Sequence, residues 1–379
     1  MFTCRECGGR FSLEQAIWRC PDCSGLLDFL HDIRFDPASL RGRPFSMWRY
    51  FESIPGGKGH PVVSLGEPIT PLSGFYSDGV SVLLKLDYLF PTGSYKDRGA
   101  AVLVGWLRER GIRRIVEDSS GNAGTAIAAY AAKAGIACEI YVPDTTSPGK
   151  LHQIRAAGAR VVRVPGGRQA TADAALDAAR DAFYASHARH PLFIHGTKTF
   201  AFEIWEQLGG EIPDAVVVPT GNGTLLLGAW IGFTELRKAG LTRGVPKLIA
   251  VQAEGFAPLL DACGTTIRPE RPADRMGCLA EGIAIANPVR KMQMVEAIRE
   301  SGGDVVVVND EDIRNATRLL GRNGYFVEPT SAAGLAGWRK WNRTRAPSGC
   351  VVIPLTGTGL KCPDSVASLA SLATDGVIE

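Results

Sequence analysis

The sequence predicts an α/β protein with mainly parallel sheets in two lobes, preceded by a small cysteine-stabilised module. Three observations carry this prediction. Between Val80 and Leu355, short apolar β-branched runs alternate with stretches of helical length and period, which is the signature of parallel strands covered by helices on both faces. Glycine-rich loops follow several of those runs, the place where α/β proteins bind ligands. The chain opens with Cys4-x2-Cys7 and Cys20-x2-Cys23, two knuckles that supply four thiolates to one tetrahedral ion. A length of 379 residues accommodates the module and both lobes.

Composition narrows the function classes. Hydrophobic residues make up 45% and charged residues 21%, ordinary for a globular enzyme. A net charge of +3 is too small to argue for a nucleic-acid or membrane-surface partner. Met1 is followed by Phe-Thr-Cys-Arg-Glu-Cys, with neither a basic start nor an apolar core, so no signal peptide is expected. Nine cysteines without an export signal imply a reducing, cytoplasmic setting, with metal favoured over disulfides. The uncharged run Ala215–Thr234 is long enough to span a bilayer, but Pro219, Gly221, Asn222 and Gly223 interrupt it. A buried strand, a loop and a helix is the better reading.

Taken in order, residues 1–30 form the expected zinc ribbon, with Cys4, Cys7, Cys20 and Cys23 as ligands. Four protein ligands close the coordination sphere, so the ion is structural, and a segment this short depends on it for stability. Residues from Leu30 to Gly79 read as irregular, punctuated by Pro37, Pro44, Pro55, Pro61, Pro68 and Pro71. A strand-like run, Val80 to Asp87, then leads to Pro91-Thr-Gly-Ser-Tyr-Lys-Asp-Arg98 and a helix over Ala100–Arg110. Lys96 falls in the first helical turn, where a cation is disfavoured. A lysine placed against that preference suggests a Schiff-base role, and a solvated helix start is the alternative. Further strands are expected at Ile115–Glu117, Cys138–Val142, Arg160–Val164, Leu192–His195, Ala215–Val218, Leu248–Gln252, Asp304–Val308 and Cys350–Leu355. Helices are expected between them, including Asn122–Ala134 and Arg168–Ser186.

Three loops could hold anionic groups. Asp118-Ser-Ser-Gly-Asn-Ala-Gly124 opens an alanine-rich helix and suits a carboxylate. Pro219-Thr-Gly-Asn-Gly-Thr-Leu225 lets several N–H groups converge, as on a phosphate. Pro354-Leu-Thr-Gly-Thr-Gly-Leu-Lys361 follows the last strand. Each alone is equally compatible with turn geometry. The six histidines show no metal spacing, and His187, His190 and His195 read as core or cleft residues.

With these residues assembled, the chain resembles the fold-type II pyridoxal phosphate (PLP) enzymes, of the tryptophan synthase β-like fold, and most closely the threonine synthase family, over roughly residues 60–365. Thr92-Gly-Ser-Tyr-Lys96-Asp-Arg is similar to the Schiff-base motif, Ser119-Ser120-Gly121-Asn122 to the substrate-carboxylate loop, and Gly221-Asn222-Gly223-Thr224-Leu225 to the cofactor-phosphate loop. Thr356-Gly-Thr-Gly-Leu-Lys361 is similar to the family's last loop, whose threonine meets the pyridine nitrogen, and Glu328-Pro-Thr-Ser-Ala-Ala is shared across the fold type. The resemblance implies Lys96 as the catalytic lysine, Asn122, Gly221–Leu225 and Thr356 as cofactor contacts, and Ser119, Ser120 and Gly121 as substrate contacts. It implies a large PLP-binding lobe of residues 31–95 and 191–379, a small lobe of 96–190, and a homodimer.

Two departures bear on the substrate. Where threonine synthases carry an Asn-Ser pair and an Arg for the substrate phosphate, this chain has His187-Ala188 and Phe193. Arg189 is the nearby substitute, with Arg155 and Lys198 as further candidates. Ala280-Glu-Gly-Ile-Ala284 looks more like the serine/threonine dehydratase form of its loop. The expected reaction is conversion of O-phosphohomoserine and water to threonine and phosphate. The alternatives are β-elimination or β-replacement on O-phosphoserine or another β-substituted alanine, and an inactive zinc-ribbon scaffold.

Overall fold

The computed structural model describes residues 1–29, 36–56, 63–146, 151–263, 278–345 and 349–371. Pro61 and the expected ribbon boundary at residue 30 lie outside the described residues. The N-terminal module is a three-stranded antiparallel sheet of β1 (Phe2–Cys4), β2 (Arg10–Phe11) and β3 (Leu27–Phe29), in the order β2-β1-β3. Next come β4 (Leu72–Ser77), β5 (Val80–Lys85), α1 (Lys96–Glu109), β6 (Arg114–Glu117), α2 (Asn122–Ala134), β7 (Ala137–Pro143), α3 (His152–Ala156), β8 (Arg160–Val164), α4 (Arg168–Ala178) and β9 (Phe183–Tyr184). The chain continues through α5 (Pro191–Thr197), α6 (Thr199–Gln207), β10 (Ala215–Pro219), α7 (Thr224–Lys238), β11 (Lys247–Ala253), α8 (Leu260–Cys263), α9 (Lys291–Glu300), β12 (Asp304–Val308), α10 (Asp310–Arg322), α11 (Pro329–Arg345), β13 (Val351–Pro354) and α12 (Pro363–Ser371). No helix among the described residues is long and apolar enough to cross a membrane.

The chain divides into two compact units. Unit 1 contains Met1–Ile69, Phe90–Glu203 and Ile231–Arg243, and unit 2 contains Thr70–Leu89, Ile204–Trp230 and Gly244–Glu379. Unit 1 holds a parallel sheet of order β8-β7-β6-β9. Its apolar core joins Ile115, Ile140 and Val142 of the sheet to Val102, Leu103 and Trp106 of α1 and Ile127 and Tyr130 of α2. Unit 2 holds the order β12-β11-β10-β13-β5-β4, parallel except for β4. Its inner parallel strands β10, β11 and β13 are buried on both faces, and β10 reads Ala-Val-Val-Val-Pro with every residue buried, as a helix-covered parallel sheet requires, whereas the edge strand β4 leaves Gly74 and Tyr76 exposed.

The ribbon belongs to unit 1 and packs on α1 and α5. The Phe2 ring meets Trp106 and His190 edge-on at 5.8 Å, and Phe29 meets His195 at 5.2 Å. Trp106 Nε1 and Arg110 Nε both donate to the Leu13 carbonyl, at 3.0 and 2.8 Å. His190 and His195 are therefore core residues, as expected.

Three sequence expectations change. Leu192–His195 is not a strand: it lies within α5, where Pro191 takes the first helical position and His190 Nδ1 accepts from the Leu192 N–H at 3.3 Å. A short apolar run has no period that separates strand from helix, and the Pro-initiated cap decides it. The helix expected over Arg168–Ser186 stops at Ala178, and Phe183–Tyr184 pairs with Ile115–Val116 as β9. The irregular stretch hides β4, which pairs antiparallel with β5 through Asp78-Gly79. Both turn residues have positive φ, 51° and 79°, as a two-residue hairpin turn demands.

Candidate active site

The Pro91–Arg98 segment is fixed by its own polar residues. Asp97 accepts from the Thr92 N–H at 2.7 Å and from the Thr92 hydroxyl. Arg98 is fully buried and forks onto Glu203, with Nη1–Oε1 at 2.5 Å and Nη2–Oε2 at 2.8 Å, and its Nη1 also donates to Thr199 Oγ1 at 3.0 Å. Lys96 begins α1, between these anchors, half-buried, with Nζ donating to the Tyr95 hydroxyl at 2.7 Å. Its cation lies 5.9 Å from the centroid of the Phe193 ring. α5 approaches α1 closely because both carry glycine at the crossing. A Cβ on Gly99 would lie 2.3 Å from the Phe193 ring, and one on Gly196 would lie 2.2 Å from the Arg98 carbonyl oxygen.

Glu117 ends β6 and meets His187, with the imidazole Nδ1 2.6 Å from Oε1. The His187 ring packs edge-on against Phe193 at 5.9 Å. Burial, reinforced by Asp118, pushes the Glu117 carboxyl well above the usual carboxylate range. Burial, reinforced by the charges of Lys96 and Arg168, pushes His187 well below the usual imidazole range. The sequence reads His187 as a core or cleft residue and offers no candidate role for Glu117. The available signal was an acidic residue closing a buried apolar strand, where its carboxyl needs a partner.

Ser119, Ser120, Gly121 and Asn122 form the turn into α2, and the Gly121 N–H donates to Ser119 Oγ at 3.3 Å. The first amides of a helix have no intrahelical acceptor, so this turn suits a carboxylate. Arg189 sits half-buried in the turn between β9 and α5, two residues from His187. Of the other candidate cations, Lys198 is fully buried and bonded to Glu235 at 2.8 Å, and Arg155 is exposed in the last turn of α3.

The remaining predicted contacts belong to unit 2. Gly221, Asn222 and Gly223 link β10 to Thr224 and Leu225 at the start of α7. A Cβ on Gly221 would lie 2.7 Å from the Gly282 carbonyl oxygen, and Gly223 has φ +75° with its Cβ site 2.0 Å from Met294 Sδ. The backbone is thus held in a shape only glycine allows, at a helix N-terminus, which is a fit for a phosphate ester. Thr356 is buried at the end of β13, with Oγ1 3.1 Å from Ser331 Oγ. Ser331 also donates to the Gly357 carbonyl at 2.9 Å and accepts from the Gly357 N–H at 2.7 Å. The Glu328-Pro-Thr-Ser motif therefore pins the last loop, a role not read from sequence.

In the ribbon, Sγ of Cys4 and Cys23 are 3.4 Å apart and Sγ of Cys7 and Cys20 are 3.6 Å apart, and all four lie within 4.8 Å of one another. Tetrahedral zinc with bonds of about 2.3 Å sets sulfur–sulfur distances of about 3.8 Å. The two knuckles repeat one backbone pattern: Cys4 and Cys20 donate to the Gly9 and Gly25 carbonyls and accept from the Gly8 and Ser24 N–H groups.

Comparison with known proteins agrees with this geometry. Residues 63–357 match the family described as pyridoxal-phosphate dependent enzyme. A threonine synthase of Methanocaldococcus jannaschii is 34% identical, the match covering 96% of this chain and 93% of the relative. A threonine synthase of Methanosarcina acetivorans is 35% identical over 89% of this chain and 85% of its own. Among solved structures, a fungal L-serine ammonia-lyase from Rhizomucor miehei superposes with a TM-score of 0.68 at 22% identity, covering 82% of this chain and 99% of that one, which speaks to the fold. The chain belongs to the pyridoxal-phosphate dependent enzymes, as a fold-type II lyase of the threonine synthase-like kind.

Proposed function

We propose that the chain converts O-phosphohomoserine and water to threonine and phosphate. The observation that carries this reading is the near full-length match to threonine synthases, with the lysine motif placed at the start of α1. Lys96 would hold PLP through its Nζ, Asn122 would lie beside the phenolic oxygen, Gly221–Leu225 would take the cofactor phosphate, and Thr356 would face the ring nitrogen. When bound, PLP supplies an electron sink for charge developing on the substrate carbons.

The chain's own residues do the rest. Ser119, Ser120 and Gly121 hold the substrate carboxylate at the N-terminus of α2. Lys96 Nζ removes the α-proton and moves protons at the β carbon. Thr356 is a neutral partner and leaves the ring nitrogen free of an imposed proton, which suits elimination and replacement. Arg189 supplies positive charge to the leaving phosphate. Cys4, Cys7, Cys20 and Cys23 hold a structural zinc ion.

A second reading is favoured by a specific observation. Phe193 faces Lys96 where an arginine is expected, and the adjoining His187 is tied to the buried Glu117. An apolar ring is a poor partner for a buried dianion, so a β-substituted alanine with a smaller or uncharged leaving group is the competing substrate, and O-phospho-L-serine is the compound that reports elimination at the β carbon. Both compounds are offered to one preparation. Threonine formed from O-phosphohomoserine with kcat/KM of about 10⁴ M⁻¹s⁻¹ or more supports the first reading. Absent threonine with fast 2-oxo acid release from O-phospho-L-serine refutes it.

A further inference from the structure

Glu117 and His187 are 70 residues apart in sequence yet meet at 2.6 Å, with the carboxylate fully buried and the histidine 5% exposed. The second carboxyl oxygen, Oε2, has no hydrogen-bond partner among the described residues. Burial holds the proton on the carboxyl and keeps a second one off the imidazole. The pair therefore retains one proton between its two groups and carries no net charge. Replacing a buried polar pair by well-packed apolar residues of similar volume is often neutral or stabilising, so stability alone is a weak reason for its presence. Its position is more telling. The His187 ring and Lys96 Nζ each lie 5.9 Å from the centroid of the Phe193 ring.

We propose that this pair donates a proton to the departing side-chain oxygen of the substrate, with His187 as the catalytic residue at that oxygen and Glu117 as the positioning residue behind it. The proposal rests on the lyase reading and not on the choice of substrate. In the elimination the side-chain carbon–oxygen bond breaks and its electron pair leaves on oxygen. A phosphate ester dianion cleaved at that bond would depart as a trianion, and the pair's proton turns it into hydrogen phosphate. The pair is then one proton short. Water, bonding through oxygen to the β carbon in the replacement, gives up the proton that restores it. The titratable groups bearing on the pair are Lys96 from α1, Arg168 from α4, Asp118 beside β6, Tyr184 from β9 and Cys138 from β7. Burial raises both the tyrosine and the cysteine above their usual ranges. Among these groups Lys96 and Arg168 are the cations and Asp118 the anion.

The test compares wild-type, His187→Asn and Glu117→Gln holoenzymes on O-phosphohomoserine, O-phospho-L-serine and β-chloro-L-alanine, whose chloride leaves without a proton. General acid catalysis contributes about 10² to 10⁴ in rate. The kcat/KM ratio of β-chloro-L-alanine to O-phospho-L-serine should therefore rise by at least about 100-fold in His187→Asn. Glu117→Gln should raise it less and change the pH profile of kcat/KM for the oxygen leaving group. Equal losses on both substrates mean a merely structural pair and overturn the proposal. Histidine-labelled ¹⁵N NMR of the wild-type holoenzyme should show no protonation of His187 between about pH 5.5 and 8.5, and a midpoint near the ordinary value of about 6.5 overturns it independently of the variants. If wild type ignores O-phosphohomoserine but the ratio still shifts, the substrate reading fails and the pair stands.

Discussion

Replacing Gly223 by alanine tests the phosphate loop most directly. Gly223 has φ +75°, and a Cβ there would lie 2.0 Å from Met294 Sδ and 2.8 Å from its Cγ. Holding alanine in the left-handed region costs about 1–2 kcal/mol. Met294 is flexible enough to withdraw, at about 0.5–1.5 kcal/mol for an off-rotamer side chain. A combined cost of about 1.5–3.5 kcal/mol, borne by the ligand-competent loop, weakens PLP binding about 10- to 400-fold. The assay is equilibrium dialysis of PLP against protein carrying Lys96→Ala, so that affinity reports the non-covalent hold alone. Gly240→Ala is the control: it shares the strained φ, +73°, but its Cβ meets nothing within 4 Å. That variant should lose about 1–2 kcal/mol of stability and keep its PLP affinity. Unchanged affinity in Gly223→Ala would show that this loop does not hold the cofactor phosphate.

Lys96→Ala should lose the visible absorbance of covalently held PLP and all turnover while keeping its far-UV circular dichroism, and retained absorbance would place the attachment elsewhere. Metal analysis should find one zinc ion per chain. A chelator should loosen the ribbon and lower activity without abolishing it, because the ribbon packs on α1 and α5 through Phe2 and Phe29. Glu203→Gln leaves the fully buried Arg98 guanidinium short of its carboxylate, which should cost about 3–5 kcal/mol in urea denaturation. A loss below about 1 kcal/mol contradicts the anchoring role. Asp78 is held below its ordinary value first by the Arg339 hydrogen bonds, at 2.5 and 2.9 Å. A depressed carboxylate stabilises the fold above its unfolded pKa of about 3.9 and loses that contribution as pH falls through the folded value. Asp78→Asn should therefore flatten the stability slope below about pH 5 and leave it unchanged above.

What could be read from the sequence follows the range of the physics involved. β10, β11 and β12 are apolar β-branched runs between turn residues, so their existence is a local property. Lys96 was placed in the first turn of α1 by the Gly93-Ser94 turn before it and the apolar period after it. α5 was not legible because its seven residues are all buried, which erases the polar face that marks a helix period. β9 was missed for the related reason that two residues pair only because β6 passes beside them. The Glu117–His187 contact is of the same kind. Each residue is ordinary in its own segment, and only the sheet register brings strand end and turn together. The role of Ser331 on the last loop likewise depends on α11 lying beside the end of β13.

The two halves of the chemistry are built from different materials, and this bears on what can vary. The loop from Gly221 to Leu225 presents backbone, and the space where side chains would go is already taken by Gly282 and Met294. Any substitution at its glycines meets steric cost before it reaches function, so this part tolerates little. The segment from Ser186 to Phe193 would work through side chains instead. His187 and Phe193 project from a turn and a short helix that the Pro191 start and the Gly99–Gly196 crossing would hold in place with other residues at 187 and 193. On the proposed reading, a change of leaving group would call for new side chains at Glu117, His187 and Phe193 and no new backbone. On that reading, cofactor loops similar to those of threonine synthases would be kept while the departing group meets a proton held between Glu117 and His187, beside the charge of Arg189.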